Sequence, residues 1–344
     1  MDTDYVITTR VIRNSQFTAE PGPVRFLRVP RSAQAFEPSH AVSGAGDLKA
    51  WVNEVIAQAD GDENPNSVSP TGDILVFVHG YNNDVETVLL RQRQLQADLV
   101  AEGWRGLVIA FDWPSENNAL NYLEDRSDAA AVAIELVRKC VRLVAEGQAR
   151  GCETNIHLLG HSTGAYVIME AFTQALKDGD LFHSPWRIGQ VAFIAGDVST
   201  NSLSLADTSS EPTFARIMRL TNYSNQFDAV LAVSNAKRLG TAPRAGRVGL
   251  PVAVSQKAVN VNCSRYFAQL DPKTSPAVGN FTHAWHIGDR VFARDLAMTL
   301  EGAIDREAIT TRDLIGGNLY LADHPRPRFM SEWGIKDTLG PQNT

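Results

Sequence analysis

Short, largely apolar segments recur along the middle of this chain, at residues 74–78, 106–111, 156–159, 190–195, 216–221 and 258–261. Interleaved with them are stretches whose apolar residues return every three or four positions, at 85–102, 120–146, 164–177 and 291–304. Brief apolar runs without alternation read as strands covered on both faces, and the three-to-four spacing reads as helix. Their exchange along the chain predicts an α/β protein with a mostly parallel, doubly wound sheet and helices on both faces.

The ends read differently. Residues 5–12 and 23–29 are rich in Val, Ile, Phe and Thr and are separated by a polar turn, which predicts an antiparallel pair. Leu48, Trp51, Val52, Val55 and Ile56 have helical spacing. Residues 59–72 then pass through Asp, Glu, Asn, Pro, Ser and Gly without periodicity, as a connecting loop does. After Ile304 the periodicity fades, and the tail over 324–344 is expected to wrap the surface. The expected organisation is strands, helix and loop over 1–71 joined to the core, one main domain over 72–304, and a C-terminal extension over 305–344.

Composition narrows the chemistry. The chain has 344 residues, 44% of them hydrophobic, enough to bury one large core. A net charge of -7 argues against a nucleic-acid partner, since phosphate binding calls for a basic face. The most basic short stretch, 238–247, is diluted by Gly, Ala and Pro and reads as a solvated loop. Cys140, Cys152 and Cys263 are too few and too scattered for a disulfide framework or a zinc knuckle. The acidic start, Met1-Asp2-Thr3-Asp4, lacks the basic and apolar regions of a signal peptide. No window approaches the roughly 18 apolar residues of a membrane span, so a cytoplasmic location is expected.

The sharpest chemical signal is Gly160-His161-Ser162-Thr163-Gly164, placed between the strand at 156–159 and the helix at 164–177. A tight strand-to-helix turn exposes a serine hydroxyl at the N-terminus of a helix, and flanking glycines let the backbones pass. Ser162 is therefore the candidate nucleophile. The oxyanion of an acyl-transfer intermediate needs backbone N–H donors, one just after the nucleophile and one from an earlier strand–loop junction. Thr163 supplies the first. The strand at 74–78 runs into His79-Gly80-Tyr81-Asn82-Asn83-Asp84, where Tyr81 is the better second donor, with Asn82 behind it. His79 reads as a brace for this loop, because the general base of such a fold belongs late in the chain.

Late in the chain, His283 and His286 both lie between the strand at 258–261 and the last helix, and spacing does not separate them. The pair lacks the helical His-Glu-x-x-His pattern and a third ligand, so a zinc site is not suggested. Two carboxylates follow strands at suitable places, Asp228 in the usual acid loop and Asp197 after the preceding strand. Either is able to orient an imidazole and stabilise the imidazolium.

With these elements assembled, the sequence resembles a bacterial family of α/β-hydrolases known as a domain of unknown function. The likeness rests on Val76-Phe77-Val78-His79-Gly80-Tyr81-Asn82-Asn83, Phe111-Asp112-Trp113-Pro114-Ser115, Tyr122 with Asp125-Arg126, and His161-Ser162-Thr163-Gly164. It continues through Asp197, Asp228-Ala229-Val230-Leu231 with Ser234, and His283-Ala284-Trp285 with Asp295-Leu296, roughly residues 72 to 300 in all. The resemblance implies the α/β-hydrolase fold and a serine nucleophile. It also selects His283 over His286, by a fixed step before the Asp-Leu pair. It departs at Asn225, where relatives often carry Ser. Ser115 is expected to cap a helix before Glu116 rather than meet substrate, and Tyr122 with Asp125-Arg126 to form a structural ion pair.

The expected activity is serine hydrolysis of a small-molecule carboxylic ester through an acyl-enzyme. Ser162, His283 and Asp228 form the expected triad, Tyr81 and Thr163 the oxyanion hole, and no metal or organic cofactor is needed. Serine at the elbow disfavours chemistries that need a carboxylate nucleophile. An amidase, peptidase or thioesterase on the same triad stays open, as does a non-catalytic binding protein on the same fold. The loop over 238–256 is the expected lid, lying between the acid and the base.

Overall fold

The structure is a computed structural model that describes residues 2–59, 73–115, 132–141, 143, 154–237 and 243–327. Among the described residues the strands are β1 (Thr3–Arg13), β2 (Gln16–Pro30), β3 (Asp73–Val78), β4 (Leu107–Asp112) and β5 (Asn155–His161). They continue as β6 (Ile188–Ile194), β7 (Ile217–Ser224), β8 (Ala258–Asn262), β9 (Arg312–Ile315) and β10 (Asn318–Leu321). All belong to one sheet, ordered β2-β1-β4-β3-β5-β6-β7-β8-β10-β9. Every neighbouring pair is parallel except the two terminal hairpins, β1 with β2 and β9 with β10.

The opening hairpin forms with a tighter turn than its pattern predicts: β2 begins at Gln16, so residues 16–22, expected within the polar turn, are strand. Asn14 and Ser15 connect β1 to β2 with φ of 50° and 59°, the two left-handed residues of a tight turn whose twist matches the strands. The hairpin then joins the main sheet, with Val6 of β1 opposite Ala110 of β4. At the other edge the sheet continues through β9 and β10. Each of these strands has four residues, too few to display a period.

The principal helices are α1 (Gly44–Ala59), α2 (Val85–Ala101), α3 (Thr163–Lys177), α4 (Ala229–Lys237) and α5 (Arg290–Glu301). The starts of α2 and α5 are set by side-chain caps, Asp84 accepting from Thr87 N at 2.7 Å and Asp289 from Phe292 N at 2.8 Å. The pleat of β3 shows how the layers divide. Ile74, Val76 and Val78 face one core with Trp51 of α1 and Val167, Ile168 and Phe172 of α3. Leu75 and Phe77 face the other, with Leu95 and Leu99 of α2 and Phe292 and Leu296 of α5. A strand buried on both faces has no polar side to alternate, which is why it appeared as an unbroken apolar run.

Most of the helix expected over 120–146 lies outside the described residues, although Leu136–Val141 form a π-helical turn. Tyr122, Asp125, Arg126, Cys152 and the segments 60–72 and 328–344 also lie outside them. The strand order reverses around β3 and β5, which are neighbours while the chain proceeds from β3 to β4 on one side and from β5 to β6 on the other. A crevice opens at such a switch point, beyond the carboxyl ends of the strands. The register sets Val78 opposite Gly160, so His79-Gly80 and His161-Ser162 leave the sheet side by side.

Candidate active site

Ser162 stands between β5 and α3 with φ of 55° and ψ of -123°, a conformation that non-glycine residues avoid at a cost of about 1–3 kcal/mol. Surrounding backbone holds it there. Ser162 N donates to Ile194 O at 3.0 Å, and Ser162 O accepts from Asp197 N at 2.9 Å and Ala165 N at 3.1 Å. The glycines are demanded by close approach. A Cβ on Gly164 would lie 2.1 Å from Val78 O, and one on Gly80 would lie 2.7 Å from Ser162 Cβ. Ser162 does not cap α3 with its side chain, and the positive end of that helix begins at Thr163.

The loop after β3 is held from behind. His79 Nδ1 donates to Gly80 O at 2.8 Å, while its Nε2 lies 3.2 Å from Asp112 Oδ1 and 3.1 Å from Trp113 N. Trp113 Nε1 donates to His79 O at 2.8 Å, and the two rings stack. Asn83 Nδ2 donates to Gly80 O at 2.8 Å and to Tyr81 O at 2.9 Å. Asn82, with φ of 57°, spends its N–H on Ser115 O at 2.7 Å, so it is not available as a second oxyanion donor. Ser115 Oγ accepts from Asn83 N at 3.3 Å. The Trp-Pro-Ser segment thus clamps the loop, and the expected capping partner of Ser115, Glu116, lies outside the described residues.

Beneath the clamp is a buried charge network. Arg10 Nε meets Asp112 Oδ2 at 2.9 Å, and Arg10 Nη2 donates to Asn83 O at 2.7 Å. Burial pushes the Asp112 carboxyl up, but the Arg10 guanidinium and His79 outweigh it and hold the group down at about 2.

His283 Nδ1 and Asp228 Oδ2 are 2.7 Å apart, and both side chains are buried. Asp228 Oδ1 accepts from Leu231 N at 2.9 Å, which fixes the carboxylate at the start of α4. His283 sits on the one-turn helix Phe281–Ala284, whose cap Asn280 accepts from Thr282 N at 3.0 Å. Thr282 Oγ1 in turn accepts from Ala229 N at 3.1 Å, joining the helix to the acid loop. The histidine comes beside the elbow through His161, whose Nε2 donates to His283 O at 3.2 Å and whose ring centroid is 4.9 Å away.

The competing residues are placed elsewhere. His286 is enclosed by Trp285 at 4.1 Å and Phe292 at 5.2 Å, and burial, assisted by His283, drives its pKa well below 6.5. Asp197 gives its backbone N–H to Ser162 O, while its carboxylate accepts from Ser234 Oγ at 3.0 Å and meets Arg244 Nε at 3.2 Å.

Residues 62–261 match an alpha/beta hydrolase family of unknown function, DUF900. The chain belongs to this family. The match takes in the loop after β3, the elbow and Asp228, and stops before His283. No curated protein sequence matches the chain. Among solved structures it is similar to a cutinase-like protein from Cryptococcus sp., with 14% identity and a TM-score of 0.34 over 70% of this chain and 98% of that one. It is also similar to a cutinase from Trichoderma reesei bound to a phosphonate inhibitor, with 14% identity, a TM-score of 0.31 and coverage of 76% and 92%. A metagenomic carboxyl esterase matches with 16% identity, a TM-score of 0.31 and coverage of 70% and 78%.

In this member of the DUF900 family the expected lid segment is a docked strap over its described part. Ala245 N donates to Val198 O at 2.9 Å, Gly246 N to Gly196 O at 3.0 Å, and Asn225 N to Gly246 O at 2.9 Å. A Cβ on Gly246 would lie 2.2 Å from Gly196 N. The strap therefore ties the loop behind Ser162 to the acid loop; residues 238–242 lie outside the described residues. Two contributors escaped the sequence reading. His161 is buried beside His283, and burial, with His283 and Arg91 adding to it, drives its pKa well below 6.5. Arg91 interrupts the buried stripe of Val88, Leu95 and Leu99 on α2. A charged residue at an apolar position of the helical period was the signal for it.

Among the described residues, no group of three or more His, Cys, Asp or Glu is arranged to hold a metal, and no helix is long and apolar enough to cross a membrane.

Proposed function

We propose that this α/β-hydrolase is a serine esterase with Ser162 as nucleophile, His283 as base and Asp228 as the orienting acid. The observation that carries the reading is the buried 2.7 Å contact of His283 Nδ1 with Asp228, with the His283 ring against that of His161, the residue before a serine held at positive φ on a helix N-terminus. A carboxylate on Nδ1 fixes the tautomer that leaves Nε2 as the proton acceptor. His283 takes the proton of Ser162 Oγ as the oxygen attacks an acyl carbonyl. The Tyr81 and Thr163 backbone N–H groups receive the oxyanion.

Collapse of the intermediate expels the alcohol, protonated by His283, and leaves an acyl-enzyme. His283 then activates water to release the acid, and the cycle needs neither metal nor cofactor. The proposed substrate is a small carboxylic ester handled in the cytoplasm.

A fluorophosphonate probe and p-nitrophenyl esters of graded chain length test this reading. Wild type should be labelled and should turn over esters, and Ser162→Ala should lose labelling and at least about a thousandfold in turnover. Equal labelling of both proteins overturns the nucleophile. Faster cleavage of the matching anilides or thioesters overturns the ester preference.

A further inference from the structure

Arg91 is a buried cation with neutral partners. Its Nη1 donates to Asn83 Oδ1 at 2.8 Å and its Nη2 to Val278 O at 2.7 Å. No carboxylate pairs with it among the described residues, and burial alone pulls its pKa down to about 10. A desolvated charge without a counter-charge is costly, and folded proteins ordinarily pair it.

Its two contacts have a common theme. Through Asn83, whose Nδ2 holds Gly80 O at 2.8 Å and Tyr81 O at 2.9 Å, the guanidinium reaches the peptide that carries the Tyr81 N–H. Through Val278 it reaches the segment leading to His283. Gly279 leaves room for this second contact, since a Cβ there, at φ of 100°, would lie 3.2 Å from Arg91 Nη2. In a trans peptide the C=O and N–H point in opposite directions, so anchoring Gly80 O turns the Tyr81 N–H away from Asn83. A hydrogen bond on the carbonyl also polarises the amide and strengthens its N–H as a donor.

We propose that Arg91 is a positioning residue that acts through Asn83 to orient and polarise the Tyr81 N–H, and that the oxyanion of the tetrahedral intermediate supplies the guanidinium's missing negative charge. This inference rests on the reading of Ser162 as nucleophile. A neutral ground-state carbonyl gains little from such an arrangement, whereas a developing oxyanion gains much. The effect belongs in kcat and in the affinity for tetrahedral adducts, and KM should hardly register it.

Asn83→Asp is the deciding variant. Its carboxylate keeps Arg91 paired but cannot donate to Gly80 O or Tyr81 O. A purely structural role for Asn83 and Arg91 therefore expects a lowered melting temperature, from the two carbonyls left without a donor, with the kcat of the folded protein retained. The proposal expects kcat to fall by about a hundredfold, with KM within about twofold and weaker inhibition by phenylboronic acid, whose serine adduct is a tetrahedral anion. Arg91→Lys and Arg91→Gln form a second arm, in which boronate affinity should fall further in the neutral variant than in the charged one.

A folded Asn83→Asp with wild-type kcat and boronate affinity overturns the proposal, as do equal losses in the two Arg91 variants. Proportional changes in kcat and KM overturn it too. If wild type is not labelled by the fluorophosphonate, the nucleophile reading falls and takes this inference with it. If wild type is labelled and only the variants disagree, the inference alone falls.

Discussion

Replacing Asp295 by Asn should destabilise this protein by about 3–5 kcal/mol, the usual cost of removing one charge from a buried pair. Asp295 and the side chain of Arg312 are both fully buried. The carboxylate accepts from Arg312 Nη2 at 2.6 Å and Nε at 2.9 Å, from Tyr223 OH at 2.6 Å and from Thr311 Oγ1 at 2.7 Å. A Coulomb estimate at about 4 Å and an effective dielectric of about 20 gives about 4 kcal/mol, within the same range. An amide offers one acceptor oxygen where the carboxylate offered two, so some of these donors also lose their partner.

The contacts tie α5 to β7 and to the chain leading into β9, and the damage should spread to that edge of the sheet. Urea denaturation followed by circular dichroism reads the loss directly. A thermal melt should shift by roughly 6–10 °C, taking about 2 °C per kcal/mol for a domain of this size. Asp295→Leu combined with Arg312→Met should recover most of what Asp295→Leu alone costs, because an apolar pair carries no desolvation penalty. A loss under about 1 kcal/mol, or a double variant no better than the single, refutes the account of this network.

The two carboxylates near the elbow should separate cleanly. Asp228→Asn should lower ester turnover by up to about ten-thousandfold with little effect on folding, whereas Asp197→Asn should chiefly lower the unfolding midpoint by loosening Ser234 and Arg244; a larger rate loss in Asp197→Asn overturns the assignment. Acidification should weaken the fold in two stages. His161 and His286 have folded pKa values well below 6.5, so the unfolded chain takes up protons first and stability falls as pH drops below about 6.5. Asp112 is depressed to about 2, so its contribution is complete above about 4 and is lost as pH falls from there through about 2. Urea midpoints from pH 7.5 to 3 in wild type and His286→Gln test the histidine stage, and an unchanged slope in the variant rejects it.

Much of this architecture was legible along the chain. The central strands β3 and β4 announced themselves because burial on both faces leaves their interiors without a polar position, and β3 divides its residues between the two cores. The elbow was legible because a strand, a glycine-flanked serine and a helix must be consecutive to make that turn, and Ser162 has the positive φ that the motif requires.

What the sequence left open was decided by side chains far apart in the chain. Asp197 and Asp228 each follow a strand, and nothing local separates them. In the folded chain Arg244 and Ser234 engage Asp197, while Asp228 meets His283, 55 positions further along. His283 and His286 share one short segment, yet the helix that carries His283 ends at Ala284, so His283 meets Asp228 while His286, beyond the helix end, is buried against Trp285. The loop over 238–256, which includes the strap at 243–249, reads as a lid because Gly and Pro break periodicity in mobile and in docked segments alike; only the backbone bonds to Val198, Gly196 and Asn225 distinguish the two. Local sequence encodes period, turn and burial, because those depend on neighbours within a few residues. Which buried polar groups meet depends on strand order and register, and those exist only once the sheet has formed.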